Sequence, residues 1–234
     1  MYNFCYLFLM FYIYSIVGYI IEVTACSIDQ KKLVFSRGFC LGPYLPIFGV
    51  GSLGIVLFLN KFSNELMVLF VMSMFITLVV EYFTSFFLEK IFHLRWWDYS
   101  DKKFNLNGRI CLEVGALFGI AGIILIKVVN PLIVKFLNLL SENLVCIIGI
   151  ILFVLFIADM IISFYAVVKL KIDTDKLTKK DATSVIKKEV RKSLFRFRYF
   201  YKRIFEAFPN IKEENKDFKY ILERLNKRKR KKND

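Results

Sequence analysis

The sequence predicts an all-α protein, a polytopic membrane helix bundle of about five transmembrane helices with a basic helical tail on its cytoplasmic side. Three observations predict it. The 234 residues are 57% hydrophobic and 23% charged, with a mean hydropathy of +0.52, more apolar than a water-soluble domain of this length sustains. Apolar runs of about 20 residues, enough to cross roughly 30 Å of hydrocarbon, recur five times. The charge is partitioned: Lys171 to Asp234 hold 22 basic and 10 acidic residues, a surplus of +12 out of the chain's +14, so residues 1–170 carry +2. Together these exclude a secreted disulfide scaffold, a soluble enzyme and a disordered chain.

The division is therefore a transmembrane bundle over residues 1–170 and a basic amphipathic cytoplasmic tail over 171–234. The expected spans run about Phe4–Ala25, Phe39–Leu59, Leu66–Leu88, Ile110–Val129 and Leu144–Leu170. The second is the least regular. Gly42, Pro43, Pro46, Gly49, Gly51 and Gly54 predict a non-helical or kinked entry, which a membrane tolerates only where protein or water satisfies the freed backbone groups.

Basic residues fix the expected orientation, because Lys and Arg beside a span stay on the cytoplasmic side. The connection after the first span carries Lys31, Lys32 and Arg37, and that after the third carries Lys90, Arg95, Lys102, Lys103 and Arg109. The other two connections are poor in charge, with Lys61 in one and Lys135 in the other. Five crossings then place the N-terminus outside and the tail in the cytoplasm. The absence of Lys or Arg before Lys31 argues against a cleaved signal peptide.

Cys5, Cys26, Cys40, Cys111 and Cys146 show no CxxC spacing and read as small buried apolar residues. With His93 the only histidine, no metal site or cofactor is expected. No HExxH, GxSxG or phosphate-cradling GxxxxGK[ST] occurs, so any ATP hydrolysis is assigned to another polypeptide.

Ionisable side chains inside spans cost about 3 kcal/mol or more, so each is a candidate functional group. Glu22, Glu81, Glu89, Glu113 and Asp159 all fall on the cytoplasmic side, within the expected spans or, for Glu89, one residue past the third, with Arg37 and Arg109 entering the same layer from the basic connections. Arg109 and Glu113 have the i,i+4 spacing of a helical ion pair. The bland alternative is that these groups snorkel to water or make ion pairs that fix packing. Glu81 and Asp159, two or more turns from the nearest expected end, are expected to face the bundle interior.

The third connection adds Asp98, Asn105 and Asn107 to the candidates. Trp96, Trp97 and Tyr99 suit an interfacial anchor in the headgroup layer, but the density of donors and acceptors around them is that of a structured binding loop.

Four stretches carry a resemblance to a known family: Trp96–Ser100, Asn105–Glu113, Arg37–Gly49 and the pair Glu81–Tyr82. Over residues 10–125, and less distinctly to 170, the chain resembles the ABC-transporter type IV (CmpB-like) bacterial membrane proteins. The resemblance implies a multi-pass protein of the bacterial cell membrane, a permease-like transport subunit without an assigned substrate, working with a separate ATPase subunit or by self-association.

In the tail, Ile186, Val190, Leu194, Phe197, Tyr201, Phe205 and Phe208 recur at three- and four-residue spacings among many cations. Such a helix suits the anionic inner leaflet of a lipid bilayer, ahead of an acidic soluble partner and well ahead of nucleic acid. Two functions compete with the permease. One is a membrane-interfacial enzyme acting on a phospholipid or polyprenyl phosphate, with His93, Asp98 or Glu113 as acid or base. The other is a membrane sensor or assembly scaffold that recruits a partner through the tail.

Overall fold

The computed structural model describes residues 1–29, 31, 38–92, 94–178 and 212–213. Arg37, His93 and the expected amphipathic helix of the tail lie outside them. Six helices and three short strand pieces make up most of the rest: α1 (Tyr2–Asp29), α2 (Pro46–Leu59), α3 (Leu66–Phe92), β1 (Leu94–Arg95), β2 (Asn105–Leu106), β3 (Ile110–Cys111), α4 (Leu112–Ile124), α5 (Asn130–Leu137) and α6 (Glu142–Thr178). A fourth strand piece, β4 (Lys212–Glu213), pairs antiparallel with β1.

Four helical segments are long and apolar enough to cross a membrane: Tyr2–Ile28, Leu66–Phe92, Leu112–Leu137 and Glu142–Lys169. Most of their surface is apolar and uncovered, as with Ile150, Ile151, Val154 and Leu155 on α6, which is what a helix surrounded by hydrocarbon requires. The second apolar run is different. Its helix starts at Pro46, where proline is suited to the first turn and holds the preceding Leu45 extended at φ −118°. The 14 residues of α2 span only about 21 Å, and the irregular segment 38–45 leads into it.

The third long segment crosses a proline without breaking. A π-helical turn at Leu125–Val129 precedes Asn130 and Pro131 and absorbs the missing proline N–H. Tyr14 of α1 donates to the buried Asn130 Oδ1 at 2.7 Å and pins that turn to the bundle. Apolar helices gain nothing from shedding water inside lipid, so close backbone approach has to hold them. Gly115, Gly119 and Gly122 of α4 supply it by packing on Leu78, Phe70 and Ser73 of α3, while Gly149 of α6 lies on Cys5 of α1.

Two cores result. The larger joins α1, α2, α5 and the starts of α3 and α6 around Tyr14, Leu59, Leu69 and Val145. The smaller sits at the opposite end, where Phe92, Trp96, Ala166 and Val167 pack together with Phe39 beside them. At that end α1 and α3 finish, α4 begins, and the segments 38–45 and 94–111 fold over the bundle; it is called the charged end below.

Candidate functional site

The segment 38–45 has no helical hydrogen bonds of its own, yet Cys40, Tyr44 and Leu45 are buried, so its N–H groups need other acceptors. Asp159 supplies them from α6. Its Oδ1 accepts from the Leu41 N–H at 2.8 Å, and its Oδ2 accepts from the Gly42 N–H at 2.8 Å and from the Tyr44 hydroxyl. Ser163, one turn along α6, donates to Oδ1 at 3.0 Å, and the Leu45 N–H is taken by the Ser15 carbonyl at 2.9 Å. Four donors saturate this carboxylate, whose work is to hold the re-entry segment.

The segment 94–111 is a built loop. β2 and β3 form a hairpin, Asn105 opposite Cys111 and Leu106 opposite Ile110, turned by Asn107 and Gly108, both at positive φ. Asn105 organises its interior: Oδ1 accepts from the Gly108 N–H at 3.0 Å, and Nδ2 donates to the Lys102 carbonyl at 2.7 Å. Asp98 accepts from the Ser100 N–H at 3.0 Å and pairs with Arg95 at 3.4 Å. Asn107 donates to the Tyr82 hydroxyl at 3.1 Å, which ties the hairpin tip to α3.

Arg109 is the main anchor. Its guanidinium pairs with Glu89 of α3 and lies 5.7 Å and 5.6 Å from the ring centres of Tyr82 and Phe86, while Trp97 donates to its carbonyl at 3.0 Å. Arg95 approaches the same Glu89 carboxylate at 3.7 Å. Glu113 pairs instead with Lys102 at 2.9 Å on the open surface. The helical pairing of Arg109 with Glu113 is thus corrected: α4 starts at Leu112, Arg109 belongs to the hairpin turn, and the i,i+4 rule does not reach it.

Glu81 lies behind this loop, three turns before the end of α3 and only 7% exposed. Its Oε1 accepts from the Tyr99 hydroxyl at 3.0 Å, and its Oε2 is buried without a partner. Glu22 of α1, which accepts from the Cys26 thiol at 3.3 Å, is near enough for its charge to act on both Glu81 and Tyr99. Burial first, and the Glu81 carboxylate second, hold the Tyr99 phenol well above its usual range. At the loop surface, the hydrogen bond and charge of Glu113 raise Lys102.

Of the sequence candidates, Glu89, Asp98, Asn105, Asn107 and Arg109 meet in one docked loop, Glu22 and Glu81 stand behind it, Glu113 is at its rim, and Asp159 serves the neighbouring segment. The aromatic expectation divides: Trp96 is 2% exposed and stacks edge-on against Phe39 and Phe92, so it is core and no headgroup anchor, whereas Trp97 and Tyr99 act as hydrogen-bond donors within the loop. Sequence reasoning missed Tyr44 and Ser163, the side-chain partners of Asp159, and the roles of Tyr82 and Phe86. Only the i,i+4 spacing of Phe86 to Tyr82, which puts both rings on one helical face, signals the last pair. Among the described residues no cluster of three or more His, Cys, Asp or Glu is placed to hold a metal ion.

Helices long and apolar enough to cross a membrane, with a charged loop folded over one end between α3 and α4, define a helical membrane protein. The family model described as "Putative ABC-transporter type IV" matches residues 9–164, and the chain belongs to that family. It matches no curated protein and no solved structure.

Proposed function

We propose that the protein is the membrane-embedded, permease-like subunit of an ABC-type transporter, with its charged end toward the cytoplasm of a bacterial cell and its ATPase on a separate polypeptide. Glu81 carries this reading. It is ionisable, sits inside an apolar helix, is turned away from lipid, and is closed off by a folded loop. Acids retained at such depth belong to solute or ion paths by default. The loop 94–111, anchored through Arg109 to Glu89, then acts as the inner closure of that path. Four long helices and one short one are few for a complete conduit, so the working unit contains further chains.

The enzyme reading has less support, because Asp98 is bonded by Ser100 and Arg95 and Glu113 by Lys102, which leaves neither as a free base beside an arginine. The test uses a tagged full chain crosslinked in its native membrane and purified in mild detergent. A vanadate-inhibited ATP hydrolase is expected to co-purify. Cells carrying Glu81→Gln are expected to show the metabolite changes of a deletion strain while assembling the same complex. A crosslinked chain with no ATP-hydrolysing partner, or full complementation by Glu81→Gln, overturns the proposal.

A further inference from the structure

We infer that Glu81, together with Tyr99 and Glu22, forms a buried proton-binding site whose occupancy decides whether the segment 94–111 stays docked on the charged end.

A buried carboxylate ordinarily gathers donors on both oxygens, and even the half-buried Asp159 does so with four. Glu81 has one, the Tyr99 hydroxyl, and its Oε2 is enclosed with nothing to accept from. Among the described residues no cation makes good the deficit: Arg109 is committed to Glu89, Arg95 to Glu89 and Asp98, and Lys102 to Glu113. Among the described residues, the titratable groups that act on the pair are Glu22 from α1, itself bonded by Cys26, and Cys111 from β3, with Glu89 two turns farther along α3. Among the described residues, the charge that acts on Glu81, that of Glu22, is therefore of its own sign.

A single proton on Oε2 resolves this. It makes the acid neutral, removes the repulsion from Glu22, and leaves Oε1 free to accept from Tyr99. When the proton leaves to water at the charged end, a bare carboxylate remains within reach of the Glu22 charge, with Tyr99 its one donor among the described residues. Hydration is then the available relief, and Tyr99 stands in the way. Tyr99 cannot move alone, because its N–H is bonded to the Gly108 carbonyl at 2.7 Å, and Gly108 precedes the Arg109 that pairs with Glu89. Loss of the proton thus pulls on the hairpin through a continuous chain of bonds. Its meaning as a coupling step in transport rests on the permease reading; the proton binding does not.

The experiment titrates the purified full chain in lipid nanodiscs, with the proton as the only probe. The chain's two tryptophans, Trp96 and Trp97, both lie in this segment, so intrinsic fluorescence reads docking directly. On alkaline titration, infrared difference spectra are expected to lose a carboxylic-acid C=O band that is absent in Glu81→Gln and displaced in Tyr99→Phe. A red shift and greater acrylamide quenching of tryptophan are expected at the same midpoint. Glu22→Gln moves that midpoint to lower pH, and Glu81→Gln stays docked throughout. Persistence of the band or of the fluorescence transition in Glu81→Gln overturns the inference. Should Glu81→Gln fail to fold, an undisplaced band in Tyr99→Phe overturns it equally. Neither readout uses flux, so failure of the permease reading leaves both titrations as predicted.

Discussion

Gly42 of the re-entry segment and Asp159 of α6, 117 positions apart in the chain, are joined by a 2.8 Å hydrogen bond from the Gly42 N–H to Oδ2. The Leu41 N–H and the Tyr44 hydroxyl end on the same carboxylate, so one side chain satisfies backbone that no helix serves. Asp159→Ala removes the acceptor and leaves two N–H groups unbonded. A loss of about 3 kcal/mol is expected, at the strong end for hydrogen bonds to charge. Asn in its place can still accept and costs less. Thermal unfolding in detergent, ranking Ala below Asn below Asp, checks this; equal stability of all three refutes the clamp.

Gly108 is a second point where geometry admits one residue. Its φ is +65°, and a Cβ there would lie 2.5 Å from Asp98 Oδ1 and Ser100 Oγ. Gly108→Ala adds about 1–2 kcal/mol of left-handed strain to that collision. The expected outcome is an unseated hairpin with greater quenching of Trp97, while the helical circular dichroism is retained.

Arg109 and Glu89 give a prediction about residue type. Arg109 works as a plane, stacked near Tyr82 and Phe86, as well as a charge on Glu89. Lysine keeps the charge and loses the plane. Arg109→Lys is therefore expected to lose about 1–2 kcal/mol. In a double-mutant cycle with Glu89→Gln, a coupling of about 1–3 kcal/mol is expected. Additive losses would show that the two groups only happen to be adjacent.

The helical bundle is legible in the sequence because unbroken apolar runs permit no other structure in lipid, and the irregular start of the second run is legible in Gly42, Pro43 and Pro46. The depth of Glu81 follows in the same way from its place in such a run. What cannot be read is where each charge ends. Asp159 has the same sequence signature as Glu81, a lone acid in an apolar helix, yet one is saturated by donors that include three from more than 110 positions away and the other has a single donor. Arg109 follows the same logic: spacing pairs it with Glu113, but that spacing has meaning only inside a helix, and the helix begins three residues later. Trp96 and Trp97 are adjacent and alike, and only the hairpin's seat on Phe39 and Phe92 decides which of them is core.

Tyr99 carries a pH prediction whose sign can be worked out. Its phenol is held above the ordinary value of about 10 by burial and by Glu81, so the folded protein keeps a proton that the unfolded chain gives up. Where the folded state binds more protons, stability falls as pH rises. The contribution is complete below about pH 10 and is lost on rising through the folded value. In Glu81→Gln, whose segment stays docked throughout, melting temperature should therefore decline above that point, and adding Tyr99→Phe should flatten the decline. Ultraviolet titration should show one fewer late-ionising phenol in Tyr99→Phe among the chain's 12 tyrosines. An unchanged alkaline limb would mean that Tyr99 is exposed to solvent in the membrane.

The contact of Ser73 with Gly122 separates two effects that usually come mixed. Ser73 Oγ is buried and without a hydrogen-bond partner, so its hydroxyl stabilises nothing it touches. It also occupies the space that a Cβ on Gly122 would need, at the closest approach of α3 and α4. Ser73→Ala is expected to be neutral or up to about 1 kcal/mol stabilising, because it removes an unsatisfied polar atom and opens little space. Gly122→Ala keeps every polar group and forces the helices apart, which is expected to cost about 1–3 kcal/mol through lost packing. Because Ser73 Cβ stands as close to that position as its hydroxyl does, Ser73→Ala should rescue Gly122→Ala only in part, and Ser73→Gly more fully. Thermal unfolding of the two single and two double variants measures this directly. Rescue by Ser73→Ala to the stability of the parent would mean that the hydroxyl alone sets the spacing of the two helices.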